Sequence, residues 1–150
     1  MEGRPHRFGS EAGIAPADLE GLVCEHSIVY SRMNNTGDIF DEQEKAKWHP
    51  VRQAMIRTNP TTGRRSVLVG SHCSHVIGWP VEKGRTLIAE LNAWCTQPRF
   101  VFRHTWRQHD LVIWDNRAVM HRGLPFDRER YRRVMHRTTV AGEGLTAPQE

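Results

Sequence analysis

Leu111-Val112-Ile113-Trp114-Asp115-Asn116-Arg117-Ala118-Val119-Met120-His121-Arg122-Gly123, followed by Tyr131-Arg132-Arg133-Val134-Met135-His136-Arg137-Thr138-Thr139-Val140, carries the densest chemistry in the chain. Leu111 to Trp114 is a short apolar run, and Asp115-Asn116 is turn chemistry. Arg133 to Val140 is again β-branched and apolar, so the local pattern predicts strand, loop, strand. His121 then sits just past a rigid element.

Arg133 lies twelve residues after His121 and Arg137 sixteen. That pattern suits a site that holds a metal beside a dicarboxylate. Imidazole is a good ligand for divalent iron, and a planar guanidinium on a neighbouring strand can grip the far carboxylate of a chelating acid in a bidentate fork. Side chains alternate along a strand, so Arg133 and Arg137 are expected on the same concave face as His121, with Arg132 pointing away.

At these residues the sequence resembles the carboxy-terminal signature of the taurine and 2,4-dichlorophenoxyacetate dioxygenases, which are iron(II)- and 2-oxoglutarate-dependent enzymes. The carriers are Trp114-Asp115-Asn116-Arg117, His121 five residues after Asn116, and Arg132-Arg133-Val134-Met135-His136-Arg137. The resemblance runs back through Gln97-Pro98-Arg99-Phe100, Ser71-His72-Cys73-Ser74-His75, Arg57-Thr58-Asn59-Pro60 and Glu25-His26-Ser27. It covers residues 18–143, leaving 1–17 as a loose amino-terminal segment and 144–150 as a tail.

The resemblance implies a mainly β fold, the second portion of a double-stranded β-helix of the jelly-roll, cupin-like kind, with one helix near 82–95. It implies Fe(II) and 2-oxoglutarate as cofactors and a small acidic substrate. It gives His121 the part of the distal metal ligand, Arg133 that of the 2-oxoglutarate clamp, and Arg137 that of the partner of an anionic substrate group. The family's other two ligands come as His-x-Asp upstream. None of the nine histidines here is followed two residues later by Asp or Glu. The chain therefore supplies at most one of three metal ligands and reads as a carboxy-terminal half: a fragment, a truncated gene or a degenerate copy. Alone, it is expected to be inactive.

Each candidate has a bland alternative. His121 could cap a turn on a half-buried strand. Arg133 belongs to a basic run, Arg128, Arg130, Arg132 and Arg133, of the kind that is usually solvated. His72 and His75 resemble a metal pair by composition, but without a third ligand they read as hydrogen-bonded loop histidines. Trp106 and Trp114 read as core residues.

Composition sets outer bounds. The 150 residues are 38% apolar and 25% charged, with a net charge of +4. No run of about 18 apolar residues supports a membrane span, and no apolar leader opens the chain. Cys24, Cys73 and Cys95 are widely spaced and odd in number, which favours neither a disulfide framework nor a zinc knuckle and suggests a reducing cytoplasm. The basic balance invites nucleic acid, yet aromatic residues do not interleave with the arginines as a stacking platform requires. Three classes stay open: a dioxygenase; a non-catalytic remnant or interaction protein that at most binds 2-oxoglutarate weakly; and a small basic nucleic-acid binder.

In chain order, Val23–Tyr30 predicts a strand, and 33–48 an exposed loop with a helical turn. Val51–Arg57 and Ser66–Val69 predict a hairpin about Asn59-Pro60-Thr61-Thr62-Gly63. Ser71–Pro80 reads as irregular. Leu87, Ile88, Leu91 and Trp94 form a helical stripe within Glu82–Cys95, ended by Thr96-Gln97-Pro98, and Phe100–Trp106 alternates like a strand. An incomplete jelly roll leaves sheet edges unpaired, which predicts self-association.

Overall fold

The computed structural model describes residue 14 and residues 16–142 and 144–149. The expected loose segment 1–17 falls almost wholly outside them. A single 3-10 turn at Pro16–Leu19 leads into strand β1, Val23–His26. Helices α1, Ile28–Asn35, and α2, Glu42–Lys47, follow, then β2, Val51–Ala54, β3, Ile56–Thr58, β4, Arg65–Val67, and β5, Cys73–Val76. Helix α3, Val81–Cys95, ends the regular structure apart from a 3-10 turn at Pro98–Phe100.

Two small antiparallel sheets carry the core. One has the order β2-β1-β5, the other is the hairpin β3-β4. Few helices accompany them, in keeping with the expected β-rich class. α3 matches the predicted stripe and α2 falls where a helical turn was expected, while α1 is an addition.

Ser27 explains the largest local correction. The strand expected through Tyr30 stops at His26 because the Ser27 hydroxyl accepts a hydrogen bond from Tyr30 N at 3.1 Å, capping α1. A β-branched run is outcompeted by a good cap. In α2 a full capping box operates: Asp41 accepts from Glu44 N, and Glu44 from Asp41 N. The predicted turn at 59–63 is present. The Asn59 side chain accepts from the backbone N–H of Thr61 and Thr62, and Gly63 supplies the positive φ of 66° that closes it.

Residues 71–80, expected irregular, contain β5. It pairs with β1 through Cys24↔Val76, Glu25↔His75 and His26↔Cys73, with the register shifting between Glu25 and His26. Cys-Ser-His-Val does not alternate cleanly. Three of its four residues are buried, because β5 lies between β1 and α3.

The core is Leu19, Cys24, Met55, Val69, Cys73, Val76, Ile88 and Leu91. Met55 joins the two sheets: its N–H donates to Leu22 O at 2.8 Å and its carbonyl accepts from Leu68 N at 2.7 Å. Its side chain is fully buried.

The strands expected at 100–106, 111–114 and 133–140 do not form among the described residues. Strand-prone side chains are insufficient without a neighbouring ladder. Phe102, Leu111, Ile113 and Val140 accordingly stay 83–90% exposed. With no strand at 133–137, alternation cannot sort Arg133 and Arg137 from Arg132. No helix among the described residues is long and apolar enough to cross a membrane.

Gly84 sets the spacing of α3 on β5. A Cβ there would lie 2.9 Å from Val76 N and 3.2 Å from Val76 Cβ. Gly84→Ala gains about 1 kcal/mol of helix propensity but overpacks at a cost of about 1–3 kcal/mol. The clash is with main chain, which places the cost at about 2–3 kcal/mol, so a net loss of about 1–2 kcal/mol in urea unfolding is expected. Unchanged or higher stability would show that this contact does not set the spacing.

Candidate functional site

The Trp114-Asp115-Asn116-Arg117 stretch forms a closed turn of its own. Asp115 O accepts from Ala118 N and Val119 N at 3.0 and 3.1 Å. The Asp115 carboxylate takes the Arg117 guanidinium in a fork, from Nε to Oδ1 and from Nη2 to Oδ2, each at 2.9 Å, and accepts from the Arg117 backbone N–H as well. Trp114 Nε1 donates to Asn116 Oδ1 at 2.7 Å. Ser66 Oγ donates to Arg117 O at 2.6 Å, which ties the turn to β4. The sequence marked this stretch as a turn and missed the ion pair, although opposite charges two apart beside an Asn were the available signal.

His121 is exposed, with its ring centroid 4.8 Å from that of Trp114. Trp114 is thus a platform for the imidazole and is exposed, as is Trp106; neither is the core residue expected. Arg133 is also exposed, and its guanidinium returns toward Gly123: Nη1 lies 3.9 Å from where a Cβ on Gly123 would stand, and Cζ sits 5.5 Å from the Phe126 ring. Arg137 is exposed as well. Arg133 thus lies beside Gly123, two residues past His121 in the chain.

Among the described residues no group of three or more His, Cys, Asp or Glu side chains could hold an ion. A lone exposed imidazole does not suffice for a facial two-histidine, one-carboxylate site, so the described residues do not fit iron.

A second polar cluster spans β1 and β5. Ser74 Oγ donates to Glu25 Oε1 at 2.9 Å and lies 2.9 Å from His75 Nδ1. A hydroxyl has one proton, so when Ser74 donates to Glu25 it accepts from His75 Nδ1–H. His75 is hydrogen-bonded, as expected, although it stands on strand β5 and not in a loop. Beside it, His26 Nε2 is buried without a hydrogen-bond partner among the described residues. Burial first, and the neighbouring His72 second, lower the His26 pKa to about 4, so its ring is neutral at pH 7. Cys24, Cys73 and Cys95 are free thiols, and burial raises the Cys95 pKa. An open cavity of about 250 Å³ between α1 and α3 is lined by Tyr30, Asn35, Arg85 and Asn92, among others, and by none of His121, Arg133 and Arg137.

The Arg117 fork, chiefly by hydrogen bonding, holds the Asp115 carboxyl below the usual carboxylate range. A depressed carboxylate pKa stabilises the fold above the unfolded value and loses that contribution as pH falls through the folded value. In a carboxyl-resolved NMR titration, Asp115 is expected to titrate below the usual carboxylate range, and to move up toward it in Arg117→Ala. An ordinary Asp115 midpoint in the unaltered chain would contradict the fork.

Comparison with known proteins then defines the lineage. The family model of taurine catabolism dioxygenases, the TauD, TfdA family, matches residues 15–139. The alpha-ketoglutarate-dependent 2,4-dichlorophenoxyacetate dioxygenase of Burkholderia sp. (strain RASC) is 39% identical over 132 residues, 88% of this chain and 44% of that protein. The protein of the same name from Cupriavidus pinatubonensis (strain JMP 134 / LMG 1197) is 41% identical over 124 residues, 83% of this chain and 43% of its own length. The crystal structure of AAD-2 in complex with Mn(II) and N-oxalylglycine is 42% identical, with a TM-score of 0.72 over 76% of this chain and 45% of that one. The chain spans less than half the length of these relatives. With the signature turn, His121 and the arginine segment all inside the matched region, the chain belongs to the TauD/TfdA family of dioxygenases.

Proposed function

We propose that the chain supplies the carboxy-terminal half of the catalytic unit of an iron(II)- and 2-oxoglutarate-dependent dioxygenase that hydroxylates a small acidic substrate. Residues 18–143 form that half, as part of a double-stranded β-helix, with 1–17 and 144–150 as flanking segments. His121 is the distal metal ligand, Arg133 the clamp on the far carboxylate of 2-oxoglutarate, and Arg137 the partner of an acidic substrate group. Two relatives are named as acting on 2,4-dichlorophenoxyacetate, an aryloxy acid, and the same substrate class is proposed here.

The observation that carries this reading is the family match across residues 15–139, a range that contains all three residues. Arg133 returning to Gly123, two residues past His121, supports it further. A small acid is favoured over nucleic acid because several arginines are already engaged by carboxylates: Arg32 by Asp38, Arg65 by Glu20 and Arg117 by Asp115. The free thiols are compatible with a cytoplasmic setting.

The lack of a three-donor group among the described residues favours one alternative, a non-catalytic remnant or interaction protein that binds 2-oxoglutarate weakly at most. Joining a segment that bears His-x-Asp separates the two. Succinate release with iron(II), ascorbate and 2-oxoglutarate is expected from the joined protein and not from the chain alone. His121→Ala in the joined protein should abolish it. Arg133→Lys keeps the charge and loses the fork, so it should raise the half-saturating 2-oxoglutarate concentration about tenfold. A joined protein that folds but releases no succinate supports the remnant, and an unchanged 2-oxoglutarate requirement in Arg133→Lys removes Arg133 from the clamp.

A further inference from the structure

Cys24 on β1 and Cys73 on β5 are free thiols in the same core cluster, 0% and 3% exposed. An irregularity brings them to one face. β1 and β5 pair as Cys24↔Val76, Glu25↔His75 and then His26↔Cys73, so Ser74 is passed over in the register. Along a regular strand Cys73 and Val76, three residues apart, would point to opposite faces. The extra residue of a bulge returns them to the same one, and both are buried while His75 between them is only half-buried. The Ser74 hydroxyl, 2.9 Å from Glu25 Oε1 and 3.2 Å from Glu25 O, fastens the bulge. Cys24 stands two residues before His26, which faces Cys73, so the two thiols are diagonal neighbours across the ladder. They share a hydrogen bond.

That hydrogen bond lets one S–H stabilise the thiolate of the other. It lowers the Cys24 pKa against the opposing effect of burial, and together with burial it raises that of Cys73. The pair therefore loses its first proton as a unit, with the charge shared across one hydrogen bond. Cys73 is also among the residues lining the open cavity of about 250 Å³ between α1 and α3, which is roomy enough for a molecule as small as hydrogen peroxide.

We propose that Cys24 and Cys73 are a redox pair, which a hydroperoxide oxidises to an intramolecular disulfide stapling β1 to β5 and a thiol reductant reopens. The thiolate of the pair attacks one peroxide oxygen and the O–O bond breaks. The departing hydroxide takes up the proton lost on ionisation, leaving water and a sulfenic acid. The second sulfur then attacks the first, the S–O bond breaks, and the hydroxide leaves as water with the proton of the second thiol. Two sulfurs together give up two electrons, and one peroxide becomes two waters. Every residue involved belongs to the described sheet, so the inference does not depend on the proposed reaction. Cys95, the last residue of α3, stays a thiol, its pKa raised by burial.

The test treats the full chain with hydrogen peroxide, removes the excess with catalase, alkylates the remaining thiols in denaturant and maps the peptides by mass. The expected product carries a Cys24–Cys73 disulfide and one alkylated thiol, Cys95, and dithiothreitol reverses it. The same treatment in urea supplies the control for native geometry: Cys95 is far nearer to Cys73 in sequence than Cys24 is, so in the unfolded chain the Cys73–Cys95 bridge should predominate. In a Cys95→Ser background, oxidation of the folded chain should raise Tm by about 5 °C or more. Cys24 and Cys73 both remaining alkylatable, the same bridges forming in folded and unfolded chain, or an oxidised chain with an unchanged or lower Tm would each overturn the proposal.

Discussion

Met55 is the constraint on which the described fold rests. One residue ends the ladder to β1 with its N–H and opens the ladder to β4 with its carbonyl, while its side chain is fully buried. A chain that passes from one sheet to another must keep both main-chain groups bonded at the crossing, because an unpaired buried amide costs roughly 1–3 kcal/mol. Met55 meets that demand without a turn. β2 and β3 can therefore follow each other directly and still belong to different sheets. β1 holds the centre of the larger sheet, β5 closes it, and α3 covers β5 through the close approach at Gly84.

The candidate site hangs from this scaffold and lies outside its ladders. Ser66 on β4 holds the Arg117 carbonyl, so the hairpin positions the Trp114–Arg117 turn, and the turn presents Trp114 to His121. The Asp115–Arg117 fork makes the turn rigid from within. Beyond it, His121, Arg133 and Arg137 are exposed, and the apolar residues around them remain in solvent. The apolar alternation of this segment is present in the sequence, and the surface it would pack against is not among the described residues.

Legibility followed the range of the interactions. α3 could be read because its apolar stripe is local, and the 59–63 turn because Asn59 and Gly63 act within four residues. Ser27 was overlooked as a cap because Ile28-Val29-Tyr30 is strand-prone, yet one hydroxyl on Tyr30 N decides the outcome. β5 was missed because its burial comes from β1 and α3, which no local pattern announces. The strands at 111–114 and 133–140 failed for the converse reason, since alternation states a preference that only a neighbouring strand can realise. For the site, residue chemistry singled out His121, Arg133 and Arg137, and the family resemblance supplied their roles. The Trp114 platform and the Asp115–Arg117 fork became visible only with coordinates.

The central claim is that the described residues contribute one imidazole to a metal site completed by a His-x-Asp segment. Equilibrium dialysis against Mn(II) tests it without depending on turnover. The chain alone should show no stoichiometric site, the protein joined to such a segment should bind one ion per chain, and His121→Ala in the joined protein should weaken that binding by at least tenfold. One tightly bound ion on the chain alone, indifferent to His121, would contradict the account.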